Sequence, residues 1–451
     1  MHLVPENLVK NLLDLWTGDF KGLDEGSGSY VLQPGAIDAI GATCAAAGDT
    51  TPSAFGARVP NLATQRHYYT AESYTLFTTL VGPVALRGRF ADDKYYRHFL
   101  NLVDIFNNDC TAMGLDRNYV NGAFRDKVID WVERYEEYYY QYDPSRYSTC
   151  PLTIHALLHI PDDILRTGPM PCYWNYITER FVGFVVRSSK SRKNPYASFA
   201  RRMREIAQNT AIKVRFHLQD ELDLSDAGDE DRNGRLVIGC KYSVSCIRIL
   251  KRPQSKLPLT PQLRRQIENY ILRRFNVSPD QVKACIPETV SHSGKVSFRL
   301  SGGDKIDGSE LVKPSEHNKT RDATFIKYSR QVDANARYRN LPVVWKSQVE
   351  YGQLLRLIDF NARLPTIQDG NRIIQRPRSL LLAVVRRVHH KQRYPALPLP
   401  YYDDGKFGPI DIIDVDEISC LVARVPDHGP GPRRFALCER SDTMGVADDD
   451  E

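Results

Sequence analysis

Hydrophobic positions recur every three or four residues through the first half of this 451-residue chain and every second residue through its last third. The first spacing puts side chains on one stripe of a helix and the second on one face of a strand, so the chain divides by period before any motif is considered. Leu8, Val9, Leu12, Leu13 and Trp16 predict an amphipathic helix over 6–16, with Gly18 to end it. Pro34, Ile37 and Ile40 open a second, Ala-rich helix that runs to Gly48. Thr70 is the expected cap of a third, which carries Tyr74, Phe77, Leu80 and Val81 on one side. Two more follow between 92 and 142, built on Tyr96, Phe99, Val103 and Phe106 and then on Phe124, Val128, Trp131 and Tyr135. Tyr138, Tyr139 and Tyr140 extend the latter as a half-buried face rather than a platform for nucleic-acid bases, and Pro144 stops it.

A helix is predicted over 150–165, with Leu152, His155, Leu158 and His159 on one face and Gly168-Pro169 to break it. The next runs from Tyr173 to Val186. Past it, Arg187, Lys190, Arg192, Lys193, Arg201, Arg202 and Arg204 follow one another without a single acid, and a basic helix starts near Ala197. Residues 217–234 hold seven acids and hardly any apolar side chain, which is the composition of a linker. The β-branched content of 236–250 predicts a strand or hairpin, and Thr260-Pro261 caps a helix that ends at Phe275. After the polar stretch 301–320 the period becomes two, with short strands at 325–330, 343–345, 349–352, 380–388, 410–415 and 418–425.

The expected fold class is therefore α+β. A mainly helical region spans 1–216, an acidic linker 217–234, a small α+β module 235–300 and a polar linker 301–320. A β-rich barrel or sandwich-like domain at 321–440 and a disordered acidic tail at 441–451 complete the chain. At roughly 70 residues the small module is expected to dock on a neighbour, since so short a segment buries little core by itself.

The net charge of +6 is unevenly spread: bases gather in 187–204 and 246–274, acids in 219–231 and at the C-terminus. Basic clusters suit a polyanionic partner. Apolar runs stop well short of the ~20 residues of a membrane span, and no leader opens the chain, so an intracellular soluble protein is expected. Nine cysteines without one Cys-x-x-Cys pair argue against a disulfide framework or a zinc ribbon.

The most unusual stretch is 150–187. It places His155 and His159 four apart, then Gly168-Pro169, the aromatic cluster Tyr173, Trp174 and Tyr176, and Glu179-Arg180-Phe181-Val182-Gly183, followed by the basic tract. In that order these words resemble the C-terminal conserved region of CACTA (En/Spm-type) DNA-transposon transposases and the transposase-like proteins derived from them in plant and fungal genomes. The opening Met1-His2 is similar to the family's Asp-x-Met-His block without its Asp. Arg321-Asp322-Ala323-Thr324-Phe325 and Glu350-Tyr351-Gly352-Gln353 resemble the C-terminal extension of the fungal members.

The resemblance implies an RNase H-like catalytic domain with a helical insertion, in which two Asp and one Glu hold two Mg²⁺ ions for phosphodiester cleavage. It makes Glu179 the candidate third acid and Mg²⁺ ligand, with Arg180 and Trp174 as structural neighbours. The family's two Asp would precede the Met-His block, so the cutting centre is expected to be incomplete, with Asp14, Asp19 or Asp104 as unsupported substitutes. An ion pair between Glu179 and Arg180 stands beside the metal reading as the structural alternative. His155 and His159 have the spacing of metal-binding helices, with His2, Cys150 or Cys172 as a third ligand, although Ala156 replaces the Glu of a zinc-protease motif; hydrogen-bonded histidines in a packed face are the structural alternative. Arg187, Lys190, Arg192, Lys193, Arg201, Arg202 and Arg204 are the candidate DNA contacts, and Arg264, Arg265, Arg273 and Arg274 form a weaker patch. DNA in the nucleus is the implied partner, with a protein partner conceivable for the β-rich domain.

Overall fold

The computed structural model describes residues 2–112, 114–187, 193–218, 235–237, 247–249, 254–275, 278–298, 304–311, 321–338, 340–368, 372–391, 397, 399–428 and 433–439. The Lys190 and Arg192 candidates, most of the acidic linker and the C-terminal tail lie outside the described residues. No helix among the described residues is long and apolar enough to cross a membrane.

From 2 to 218 the described chain is helical. Widely wound turns over His2–Val9 pass into α1 (Lys10–Thr17). It ends at Gly18, whose φ of +79° is the left-handed conformation that glycine adopts without a Cβ clash. α2 (Ala36–Thr50) follows, then α3 (Ala71–Leu76), which continues through 77–81 into α4 (Gly82–Ala85). The side chain of Thr70 accepts from the Ser73 N–H and that of Asp92 from the Lys94 N–H, fixing the starts of α3 and of α5 (Asp93–Asp104). The short α6 (Arg117–Tyr119) precedes α7 (Arg125–Tyr135), which is prolonged to Tyr140. Tyr139 is fully buried and accepts the Trp16 Nε1–H at 3.0 Å. It therefore joins two helices rather than facing a ligand.

The helix expected over 150–165 is two helices, α8 (Leu152–Leu157) and α9 (Ile160–Thr167). Pro161 starts the second and has no N–H to continue the first. The buried face is also different: Ile154 and Leu157 are in the core, whereas Leu152 is 79% exposed. Beyond them lie α10 (Tyr176–Arg187) and α11 (Pro195–Phe216). The only strand-type pairing among described residues 2–218 is an isolated bridge between Leu32 and Phe90, so the sheet of an RNase H-like fold is not among these elements.

The second half is antiparallel sheet. Strands β1 (Arg235–Val237), β2 (Ile247–Ile249), β5 (Lys295–Phe298) and β6 (Asp304–Asp307) make one four-stranded sheet in the order β1-β2-β5-β6. Between them come β3 (Gln254–Pro258), α12 (Pro261–Phe275), α13 (Pro279–Cys285) and β4 (Thr289–Ser293). The remaining strands are β7 (Phe325–Asp333), β8 (Trp345–Gln368), β9 (Arg372–Lys391), β10 (Tyr401–Asp414), β11 (Ile418–Asp427) and β12 (Arg434–Glu439). Their hydrogen bonds link β7 to β8, β8 to β9, β9 to β10, β10 to β12, β12 to β11 and β11 back to β7. The pairing is a closed ring of six strands, which leaves those strands no open edge to template aggregation.

The length of β8 makes this closure possible. Its 345–353 part bonds β7, and its 352–368 part bonds β9. At the hand-over sits Gly352, where an added Cβ would lie 2.5 Å from Val385 Cγ1 and 2.8 Å from the Arg386 carbonyl oxygen. Only glycine lets β9 approach there.

Two expected boundaries cross these sheets. β3 and β4, from the segment expected as a separate module, extend the large sheet by pairing β4 with β8 at 357–359. α12 packs its Leu263, Ile267, Tyr270 and Ile271 in one core with Leu380, Leu382, Val384 and Ile412. β6 lies inside the stretch expected as a polar linker. Such a small segment gains its core by sharing one.

The helical half and the ring share a core as well, with α2 packed on β11. Across this contact Arg87 pairs with Asp427 at 2.7 Å, the Asp322 N–H donates to the Asp49 carbonyl at 3.0 Å, and the Thr50 hydroxyl donates to the Arg424 carbonyl. The guanidinium of Arg424 lies 3.9 Å from the centroid of Phe325 and 4.8 Å from that of Phe435 and pairs with Asp322. Among the described cysteines Cys44, Cys110, Cys285 and Cys438 are buried thiols.

Candidate functional sites

Three places in the fold gather chemistry: the helix pair α10–α11, the histidines of α8–α9, and the region between α12 and the ring.

α10 and α11 bury little. Phe181, Val182, Phe184 and Val186 are each more than two-fifths exposed on α10, and on α11 only Ser198 is buried. Arg201, Arg202, Arg204 and Arg215 are exposed along α11, Lys213 is half-buried, and Lys193 is exposed just before its start. The one acid of α11, Glu205, lies 3.6 Å from Arg202. With 22 residues at 1.5 Å per residue, α11 is about 33 Å of helix carrying an excess of positive charge. The side chains of Arg180 and Arg187 lie outside the described residues.

Glu179 is exposed on the first turn of α10, and Trp174 is half-buried just before it. Among the described residues no three His, Cys, Asp or Glu side chains come together as a metal site. Two Mg²⁺ ions need several carboxylates converging from different elements, and the described residues around Glu179 do not supply them. Of the substitute acids, Asp14 pairs with Arg66 at 2.6 Å and Asp104 with Lys127 at 2.5 Å, while Asp19 is exposed. No chemical step is derived through a metal at this position.

His155 and His159, expected on one helical face, sit instead on either side of the α8–α9 break. His155 is exposed, and its Nε2 is 3.1 Å from the Nε2 of His159. One ring donates its N–H there and the other accepts. That separation is close to the roughly 3 Å spanned by two nitrogens on one ion at ~2.1 Å each, so once the shared proton is lost a small turn of the rings lets the pair clamp a divalent ion. The untagged protein is expected to be retained on immobilised Ni²⁺, and His155→Ala is expected to elute at clearly lower imidazole. Equal retention of the two proteins would show that the pair does not act as a clamp.

The third place combines a buried charge network with an open cavity. Glu350 is only 4% exposed and has Arg330 at 3.3 Å and Arg387 and His390 at 3.6 Å. Asp411 takes Arg387 at 3.0 Å and the Tyr328 hydroxyl at 2.7 Å. Burying charges requires this mutual pairing. Burial pushes the Tyr328 hydroxyl well above its ordinary range, and Asp411 adds to the shift. Beside the network lies a cavity of about 340 Å³ between the last turns of α12 and strands β7, β8 and β10. Of the expected basic patch, Arg264 is structural: it donates to the Lys283, Ile286 and Pro287 carbonyls and so ties α12 to the end of α13. Arg273 and Arg274 face the cavity. The sequence reading has no counterpart to this site beyond those two arginines. The remaining members come from strands whose pairing is non-local, and the visible signal is limited to charged residues at the inward positions of otherwise apolar strands.

No family model matches the chain, and comparisons with curated proteins and with solved structures find no match either.

Proposed function

We propose that this protein is a transposase-like, CACTA-derived DNA-binding protein that grips duplex DNA through α11 and does not build a two-metal cutting centre around Glu179. The observation that carries the reading is α11 itself: a 22-residue helix, exposed along nearly its whole length, that presents Arg201, Arg202, Arg204 and Arg215 against one acid. A helix of this diameter enters the major groove of B-DNA, and guanidiniums along it neutralise phosphates. The order of sequence words from His155 to Gly183 supports the family, and the assignment of the helical half to the insertion of an RNase H-like domain belongs to the same proposal. So does residence with chromosomal DNA in the nucleus.

A second reading, a noncatalytic host factor that uses the same scaffold to bind nucleic acid or protein, is favoured by the exposed position of Glu179 without a converging acid set among the described residues. The two readings differ in descent and not in Mg²⁺ use: coding sequence upstream of Met1 that carries the family's two Asp motifs, within flanking inverted repeats, supports the transposase reading, and its absence supports the host factor.

The test of DNA binding is a salt titration. The chain is expected to bind duplex DNA with a falling log–log salt dependence, and Arg201→Gln, Arg202→Gln and Arg204→Gln together are expected to reduce the slope by roughly 2–3. Binding that is insensitive to salt, or a slope unchanged in the triple variant, refutes the role of α11.

A further inference from the structure

The cavity between α12 and the ring has features that no structural role requires. Trp345, at the start of β8, is 47% exposed and lines it, although an indole of that size normally gains by burial. Arg273 and Arg274 line it from the last turn of α12, and both are exposed. Arg273 uses its Nε for the Asn269 carbonyl, which leaves its terminal nitrogens pointing away from that bond. Two side-chain amides, Asn269 and Gln331, also line the cavity and are exposed.

The carboxylates in the lining do not cancel this surface. Asp411 is taken up by Arg387 and Tyr328, and Glu417 accepts from the Asp414 N–H at 3.3 Å. Burial holds the Glu417 carboxyl above its ordinary range. Arg330 is held by Glu350 at 3.3 Å, so the guanidiniums left for a ligand are Arg273 and Arg274 on the α12 side.

An exposed indole, a pair of guanidiniums and amides able to donate and accept together match a ligand with a flat aromatic part, a phosphate and hydrogen-bonding edges. The volume lies at the small end of the ~300–1,000 Å³ typical of ligand pockets, enough for one unit rather than a dinucleotide. We infer that the cavity binds a single nucleotide unit, its base against Trp345, its phosphate against Arg273 and Arg274, and its base edge within reach of Asn269 or Gln331. The unit is either a free nucleotide or one residue of a single strand. Stacking on an aromatic side chain and ion pairing to phosphate are sequence-tolerant, so the site recognises the class rather than one base. It is independent of α11, which lies on another part of the chain and is read as a duplex contact.

Tryptophan fluorescence of the full chain reports the site directly, because Trp16 and Trp131 are buried and Trp174 lies on a different element. Titration with dAMP, and in a parallel arm with an oligothymidylate of about ten nucleotides, is expected to quench emission saturably. Trp345→Phe is expected to abolish the quench. In calorimetry, Trp345→Ala is expected to bind roughly tenfold more weakly, the range of one stacked base. Arg273→Gln with Arg274→Gln is expected to lose about tenfold or more for the lost charge-assisted contacts. All these positions are exposed, so circular dichroism and the melting temperature are expected to stay unchanged. Quenching by both probes assigns the site to nucleotides in general, and quenching by the oligonucleotide alone assigns it to strand residues.

The inference is overturned if neither probe quenches saturably up to millimolar concentration. It is also overturned if inorganic phosphate competes while Trp345→Ala binds as well as the parent, which would make the site a bare anion site. Glutamine at Arg201, Arg202 and Arg204 is expected to leave the dAMP titration unchanged, so the duplex reading and this one succeed or fail separately.

Discussion

Truncation of Arg424 to alanine is expected to lower the unfolding free energy by about 3–5 kcal/mol, the cost of breaking a buried ion pair from one side. The side chain is 13% exposed, and its guanidinium serves several partners at once. It pairs with Asp322, donates to the Tyr402 hydroxyl at 2.9 Å, and covers the Phe325 and Phe435 rings, which themselves flank Tyr402. Removing it leaves the Asp322 carboxylate without its cation and opens a void between aromatic rings. Asp322 also receives the Thr324 N–H and hydroxyl and, through its own N–H, holds the Asp49 carbonyl at the end of α2. The loss is therefore expected at the contact between the helical half and the ring.

Two measurements separate this account from a general loss of packing. Denaturant unfolding of Arg424→Ala, Asp322→Asn and the double variant is expected to show strong coupling, with the double variant little worse than the Arg424 single. Limited proteolysis is expected to cut first around residue 50 in Arg424→Ala. A loss of less than about 1 kcal/mol, in the range of exposed pairs, would mean that the cluster is slack.

The second large effect is acid sensitivity set by His98. Its imidazole is fully buried, lies flat on Trp131 at 4.4 Å between centroids, and has Nε2 at 3.0 Å from the Trp131 carbonyl. That carbonyl accepts, so the proton sits on Nε2. The buried Nδ1 has no hydrogen-bond partner. Burial lowers the pKa from 6.5 to about 4, because a second proton would place charge and an unsatisfied N–H in the core. A folded-state pKa below the unfolded one means that the unfolded chain binds the extra proton first. Stability is thus complete above pH 6.5 and falls as the pH drops toward 4, by about 3 kcal/mol at pH 4.

The measurement is denaturant unfolding at neutral pH and at steps down to pH 4, on the parent and on His98→Phe. The parent is expected to lose stability with a slope approaching one proton, and the variant to be flat in that interval, whatever its absolute stability. Parallel curves would assign the acid loss elsewhere. Asp24, whose carboxyl is held below the usual range chiefly by its hydrogen bond to Arg146, acts with the same sign but only below its unfolded value, so the two windows separate.

The parts of this fold that follow from neighbours in sequence were legible in it. Thr70 and Gly18 set helix limits through bonds to residues within four positions, and the period of two marked β7, β9, β10 and β11 because side-chain alternation is local. Where the outcome depended on a distant partner, the reading failed or stopped short. Pro161 divides one periodic stretch into α8 and α9, and the histidines expected in the packed face became an exposed pair. β12 went unseen, and the continuous length of β8 was read as fragments, because a strand that changes partner at Gly352 keeps no single pattern.

The candidate sites divide along the same line. The basic character of α11 is a property of composition and was readable, whereas its exposure along nearly every side is a matter of packing. Glu179 stood out as a word in the sequence, but whether carboxylates gather around it is a question of which elements meet, and among the described residues none make a metal site there. The cavity was invisible because Arg273 and Trp345 come to line one space only after α12 docks on β10 and the ring closes. By itself the sequence determined the helical and strand-bearing halves, the caps and the uneven charge, since each is set by side chains a few bonds apart. The tertiary structure alone decided the six-stranded closure, the sharing of one core across the expected boundaries and the joining of an indole to two guanidiniums, because burial and strand pairing reward contacts between residues that are remote along the chain.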